Sequence, residues 1–205
     1  DEGKYSNASY NTLDEKLVAG ELLDQNATQE QINKAVKDIQ TAQDNLKTRY
    51  PNLALNKDVS VSGLEVNDGR WTAPMAVDGV VSKDSRVSFG KTADNQWLLV
   101  DLGSRKTVSE FVINYESCPP AFKIQVSTDG VNYQDVYEAA DLPDGGPSEI
   151  KEIQIEATKA RYVKYVQLKR WTHTNKNKYS GSIYEFEVYE QDPDAKDYRS
   201  EERRV

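Results

Sequence analysis

Two stretches of the 205-residue sequence combine aromatic rings with planar hydrogen-bonding side chains in otherwise polar surroundings. One runs through Glu65, Asn67, Asp68, Arg70 and Trp71, and the other through Trp171, His173, Asn175, Asn177 and Tyr179, with Glu116 and Ser117 as a third contribution. A ring face offers stacking and apolar burial, while carboxylate, amide and guanidinium groups offer directed hydrogen bonds. Together they suit a hydroxyl-bearing ring with an apolar C–H face, so the chemistry is recognition rather than bond making. Bond-making chemistry is thinly supplied. The single Cys118 allows no intrachain disulfide, no Cys-rich zinc site and no C-x-x-C pair, and its neighbour Glu116 works against a reactive thiolate. The single His173 leaves little for a nucleophilic triad or a multi-histidine metal site. Carboxylates are plentiful, but hydrolysis by a carboxylate pair needs a set separation inside a deep cleft, which a lone small domain rarely supplies.

Lys plus Arg number 26 against 34 Asp plus Glu, a formal charge of -8. Such a chain repels a phosphate backbone and an anionic bilayer alike, so nucleic acid and membrane surfaces are not expected partners. No run approaches 18 consecutive apolar residues and the sequence begins Asp-Glu-Gly-Lys, so neither a membrane span nor a signal peptide is expected within it. If the parent protein is exported, this is a piece of it.

The elements that must position these residues fall into two kinds. From Ser6 to Arg49 the apolar spacing is helical: Tyr10, Leu13, Leu17, Leu22 and Leu23 share one face, and Ile32, Ala35, Val36, Ile39, Ala42 and Leu46 another. Between them Asp24 to Thr28 reads as a turn, and Thr28 with Gln31 as a capping box that starts the second helix. Tyr50-Pro51-Asn52 ends the helix, and from Leu53 the period becomes two. Strands are expected at 59–62, 97–102, 108–115, 121–127, 150–155, 161–168 and 183–189, with the Asp129-Gly130 turn after the fourth. Trp97, with Leu99 next on the same face, reads as core. Seven short strands with Gly, Pro and Asn between them predict a sandwich. The expected domains are therefore a helical hairpin at 1–50, a β-sandwich at 51–190 and a charged tail or linker at 191–205.

Six blocks carry a resemblance: Asn52-Leu53-Ala54-Leu55-Asn56-Lys57, Ala76-Val77-Asp78-Gly79, Gln96 to Gly103, Phe122 to Gly130, Ala160-Arg161-Tyr162-Val163-Lys164 and Ser182 to Tyr189. In this order they resemble the coagulation-factor C-type or discoidin domain and, within it, the family 32 carbohydrate-binding modules of secreted bacterial glycosidases. The resemblance spans roughly Asn52 to Glu190 and implies a mainly β, discoidin-type jelly-roll sandwich. Leu22 to Gln31 resembles part of a FIVAR repeat, a three-helix spacer; with two helices present, an apolar face is left to pack on the sandwich or on another chain.

The resemblance also implies a structural calcium ion, with Asp78, Ser85 and Glu185 as side-chain ligands and carbonyls from Met75, Val80, Ser85 and Tyr184. The Gly79 to Ser85 loop is about one residue longer than the family pattern, which leaves Asp84 and Ser82 as alternatives to Ser85. The carbohydrate contacts expected are Glu65, Asn67, Arg70, Trp71, Glu116, Trp171, His173 and Tyr179, and Cys118 is expected to be inert. The function that follows is a non-catalytic, monomeric glycan-binding module of a larger secreted or cell-surface glycoside hydrolase, taking galactose-, GalNAc- or GlcNAc-type sugars. A phospholipid- or protein-adhesion role ranks second, because the loop tips lack apolar spikes and a basic surround; an enzyme ranks third.

Overall fold

The computed structural model describes Tyr5 and residues 7–46 and 51–190; the expected tail at 191–205 lies outside the described residues. The chain divides into two compact units, one holding the helices and one running from Asn52 through the last strand.

In the first unit α1 (Asn7–Glu21) and α2 (Gln29–Asp44) form the expected pair. Thr28 caps α2 as its spacing with Gln31 requires. The Gln31 amide donates to Thr28 Oγ1 at 3.2 Å and the Thr28 amide to Gln31 Oε1 at 2.8 Å, so two otherwise orphaned donors are satisfied reciprocally. Leu13 and Ala42 are buried, whereas Leu17, Ile32 and Val36 remain exposed.

The second unit is an antiparallel sandwich built from β1 (Asp58–Val61), β2 (Val87–Ser88), β3 (Gln96–Ser117), β4 (Ala121–Ser127), β5 (Gln134–Ala139), β6 (Glu149–Lys169), β7 (Trp171–Thr172), β8 (Lys178–Tyr179) and β9 (Ser182–Tyr189). Four of the expected strands merge into two. Strands β3 and β6 are long, paired with each other along both halves, and each serves both layers. In one layer the order is β1, the first half of β3, the second half of β6, β4 and β5. In the other it is the first half of β6, the second half of β3, β9 and β2. Between the halves the register slips at Asp101/Lys106 and again at Val108/Glu110, and such irregularities let a strand turn a corner from one layer to the next. Gly103, at φ 82°, takes the left-handed conformation there that a side chain resists. Beside the bend Arg161 donates to both oxygens of Asp101 at 2.8 Å, fixing the two strands to each other.

Alternate residues point inward. Phe122, Ile124 and Val126 of β4 face Phe111, Ile113 and Tyr115 of β3 and Phe186 and Val188 of β9 in one apolar core. Tyr165 of β6 stands at its centre, with ring centroids of Phe122, Phe89, Tyr115 and Phe186 at 5.5, 5.9, 6.2 and 6.3 Å. Two expectations are corrected. Trp97 and Leu99 lie on the outer face, with the Lys164 ammonium 5.1 Å from the indole centroid, while Leu98, Val100 and Leu102 fill the core. The segment Gln96 to Val100 is apolar on both faces, so its alternation carries no phase. Strand β5 was also unforeseen, because Gln134-Asp135-Val136-Tyr137-Glu138-Ala139 does not alternate.

Truncating the two faces should therefore have unequal effects. Phe122→Ala is expected to lower unfolding free energy by about 3 to 5 kcal/mol and Trp97→Ala by about 1 kcal/mol. Denaturant titration measures both, and equal losses would reverse this assignment of faces.

Candidate functional site

The bends in β3 and β6 return both ends of each strand to the same end of the sandwich. Gln96 pairs with Gln167 there in one layer, and Ser117 with Ser182 in the other. The Gly181 amide, between β8 and β9, donates to the buried Gln167 side chain and links the layers at this end. The loops before β3, after β3 and after β6 consequently emerge together.

The polar stretch after β6 is a small hairpin rather than a loop. Strands β7 and β8 pair Trp171 with Tyr179 and Thr172 with Lys178. The turn between them is closed by the His173 amide donating to Asn177 O at 2.9 Å and the Lys176 amide to His173 O at 2.8 Å, with Lys176 at φ 66°. Cross-strand pairing brings the rings together: Trp171 and Tyr179 stack at 5.4 Å and 30°, and His173 lies 5.6 Å from each. Trp171 Nε1 donates to Ser180 O at 3.1 Å, which satisfies the indole and fixes its rotation. The Asn175 amide group meets the Tyr179 hydroxyl, and this contact draws the phenol below its ordinary pKa.

Carboxylates stand beside this hairpin. Glu65 accepts from Lys91 Nζ at 3.0 Å and from Ser88 Oγ at 2.9 Å, and the same ammonium lies 5.9 Å from the Tyr179 ring centroid. Glu116 accepts from Ser182 Oγ. Ser88 and Ser182 are directly paired across β2 and β9, so their side chains share a face and draw the two glutamates to it. Lys91 had no motif to announce it; its loop is tied down by Arg170, which donates to Lys91 O at 2.8 Å and to Asp94 at 3.0 Å.

The rest of the first aromatic stretch is differently engaged. Trp71 sits at φ 54° under two guanidinium groups, Arg86 at 4.0 Å and Arg70 at 4.9 Å from its centroid. Arg70 is in turn held by Asp68 at 2.7 and 2.9 Å. Asn67 is exposed. Among the described residues no ring contact or ion pair joins Asn67, Arg70 or the Trp71 ring to the β7–β8 hairpin. Cys118 is buried, and desolvation with Glu149 alongside pushes its thiol far above the ordinary range, so it is not a nucleophile.

A separate oxygen-rich point lies between the Asp78 loop and β9. Ser85 Oγ donates to Asp78 Oδ2, Val80 N to Asp78 Oδ1 at 2.8 Å, and Gly79 N to Glu185 Oε2 at 3.1 Å. Ser85 is buried and Asp84 exposed, so the former faces Asp78. Glu185 is 1% exposed, and its Oε1 has no hydrogen-bond partner. Among the described residues no three His, Cys, Asp or Glu side chains gather to hold a metal; a cation here would rely on two carboxylates supplemented by hydroxyl and carbonyl oxygens such as those of Met75, Val80, Ser85 and Tyr184.

The loops of this sandwich thus gather at one end, with a ring-bearing hairpin among them. Residues 58–186 match the F5/8 type C domain, and the chain belongs to that family. A polysaccharide lyase 8 family protein, HylA, of Enterococcus faecalis is 41% identical over 145 residues, 67% of this chain but 10% of that protein. The chain thus spans about a tenth of that relative's length. Chitosan-binding module 2 of a chitosanase/glucanase from Paenibacillus sp. IK-5, solved with chitotriose, is 33% identical with a TM-score of 0.58, covering 67% of this chain and 99% of the module. Chitosan-binding module 1 of the same enzyme is 35% identical with a TM-score of 0.57, covering 68% and 99%. A CBM32 module from Clostridium perfringens in complex with GalNAc-β-1,3-galactose, 20% identical, shares the fold with a TM-score of 0.53 over 68% of this chain and 99% of that one. No described helix is long and apolar enough to cross a membrane.

One consequence concerns pH. Burial pushes the Glu185 carboxyl up to about 8, opposed by the Gly79 amide and reinforced by Asp78 and Glu187. A carboxyl raised in the folded state favours folding while protonated, so its contribution is complete below the ordinary glutamate range and is lost as pH rises through the folded value. The melting temperature of chelator-treated protein should fall from about pH 5 to about pH 8, and Glu185→Gln should flatten that slope. A wild-type profile no steeper than the variant's would contradict the assignment.

Proposed function

We propose that this domain is a non-catalytic glycan-binding module, with the sugar stacking on the β7–β8 hairpin. The observation that carries the reading is the stacked Trp171–Tyr179 pair with His173 beside it, on a polar, solvent-facing hairpin flanked by Glu65 and Glu116. Rings in this setting supply an apolar face, and the flanking groups supply hydrogen bonds to hydroxyls. The chitosan-binding modules at 33 and 35% identity support the class. The ligand is a galactose-, GalNAc- or GlcNAc-type sugar. A second reading of the ligand, an unacetylated amino sugar, is favoured by the two carboxylates gathered on the Ser88–Ser182 pair, which would meet an ammonium group. The parent protein is a secreted or cell-surface bacterial carbohydrate-active enzyme whose catalytic domain this module delivers to its polymer, and the module itself acts as a monomer.

We also propose a structural calcium at Asp78, Ser85 and Glu185. What supports it is the buried Glu185 Oε1 left without a partner beside a second carboxylate, since a buried carboxylate is costly until a cation or donor meets it. The ion would hold the Asp78 loop against β9.

Titration calorimetry with galactose, GalNAc, GlcNAc and chitotriose tests the first proposal. Trp171→Ala and Tyr179→Ala should each weaken binding by about 1 to 3 kcal/mol with the melting temperature nearly unchanged, while Trp97→Ala on the outer face should bind as wild type. Wild-type protein that binds none of the four, or loop variants that bind equally well, would refute the reading. For calcium, the ion should raise the melting temperature by mass action and Asp78→Ala should abolish the increase; a melting curve indifferent to calcium and chelator would remove it.

A further inference from the structure

The ring-bearing hairpin rests on a loop, Asp141 to Ser148, whose residues no motif singles out. Asp144 Oδ1 accepts the Thr172 amide at 2.6 Å and the Gly145 amide at 2.9 Å, and the Thr172 bond holds its carboxyl below the usual range. Two residues on, Gly146 stands at φ 62° directly against the indole. A Cβ at this position would lie 2.4 Å from Trp171 Cε2, 2.6 Å from Trp171 Cδ2 and 2.5 Å from Ser117 Oγ. The loop is itself anchored: the Cys118 amide donates to Pro147 O at 2.9 Å and Ser148 Oγ to Tyr115 O at 3.0 Å. The indole is therefore defined on three sides, by Gly146 behind its ring junction, by Ser180 at its nitrogen and by Tyr179 against its face.

We propose that Asp144 and Gly146 are positioning residues for ligand binding: they set the depth and pitch of Trp171 and, through it, of the Tyr179 and His173 rings packed against it that meet the sugar. The proposal rests on the glycan-binding reading above. Dispersion contact with a ring is lost over a fraction of an ångström, and a recognition group is only as well placed as the shell behind it. No side chain larger than hydrogen fits at Gly146 without moving the indole, since the opposite wall is the buried Ser117. Asp144 acts separately, through the Thr172 backbone, on the tilt of the whole hairpin.

The test uses the full chain, titrated with the same four sugars. Gly146→Ala and Asp144→Ala are expected to lower affinity for the bound sugar by about ten-fold or more, whereas Asp144→Asn, which keeps an acceptor for the Thr172 amide, should restore most of it. The indole N–H resonance of Trp171 in a ¹⁵N-labelled sample should shift in both alanine variants, with those of Trp71 and Trp97 unmoved and the melting temperature within a few degrees of wild type. If Gly146→Ala unfolds, the Asp144 pair decides. Wild-type binding together with undiminished binding by Asp144→Ala overturns the proposal alone. A Trp171 resonance unmoved in the alanine variants also overturns it, as does Asp144→Asn binding no better than Asp144→Ala. Wild-type protein that binds none of the four sugars overturns the glycan reading and the proposal with it.

Discussion

The antiparallel pairing of Gln96–Ser117 with Glu149–Lys169 is the constraint on which the rest of the domain depends. Each strand contributes one half to each layer, so one strand pair, its register slipping at the bend between Asp101 and Glu110, ties the two sheets to one another. The core follows from that registration, because Tyr165 on one strand and Tyr115 on the other reach each other and their shared neighbour Phe122 only when both halves are in phase. The convergence of the loops at one end follows as well. Since both strands fold back, their four ends and the loops they feed converge without any loop having to be long.

Much of this fold could be read from the residues, and the failures have definite causes. The change of period after Pro51, the Thr28–Gln31 box and the Phe122-Ile124-Val126 alternation each encode a local structure with one physical solution. The sequence is ambiguous where a single segment admits two. Trp97 and Leu99 are as apolar as Leu98 and Val100, so only tertiary packing chooses which pair turns inward. Likewise the joins within β3 and β6 were invisible because Gly103 and the polar residues around Glu156 to Thr158 look like strand terminators, although here they make corners.

The candidate residues are legible in composition and their arrangement is not. Trp71 and Trp171 both stand among polar residues in the sequence, yet their settings differ. Trp71 lies under the guanidinium groups of Arg70 and Arg86, while Trp171 packs against the rings of Tyr179 and His173. Nothing in the spacing of Asp68 to Arg86 signals that Arg86 will return to lie on the Trp71 indole. Lys91, Asp144 and Gly146 were missed for a related reason: each acts through a contact distant in sequence, and none belongs to a residue pattern.

The start and finish of the sandwich lie side by side. The Leu53 amide donates to Val188 O at 2.7 Å, and Asn52 Oδ1 accepts both the Ala54 and Val188 amides. Strand β9 runs from Ser182, at the ring-bearing end, to Tyr189, a rise of about 23 Å at strand spacing. Tension drawn through the two ends of this domain is therefore carried by a short rung of hydrogen bonds at the far pole. The chain on either side of the sandwich is thus attached at the pole opposite the β7–β8 hairpin.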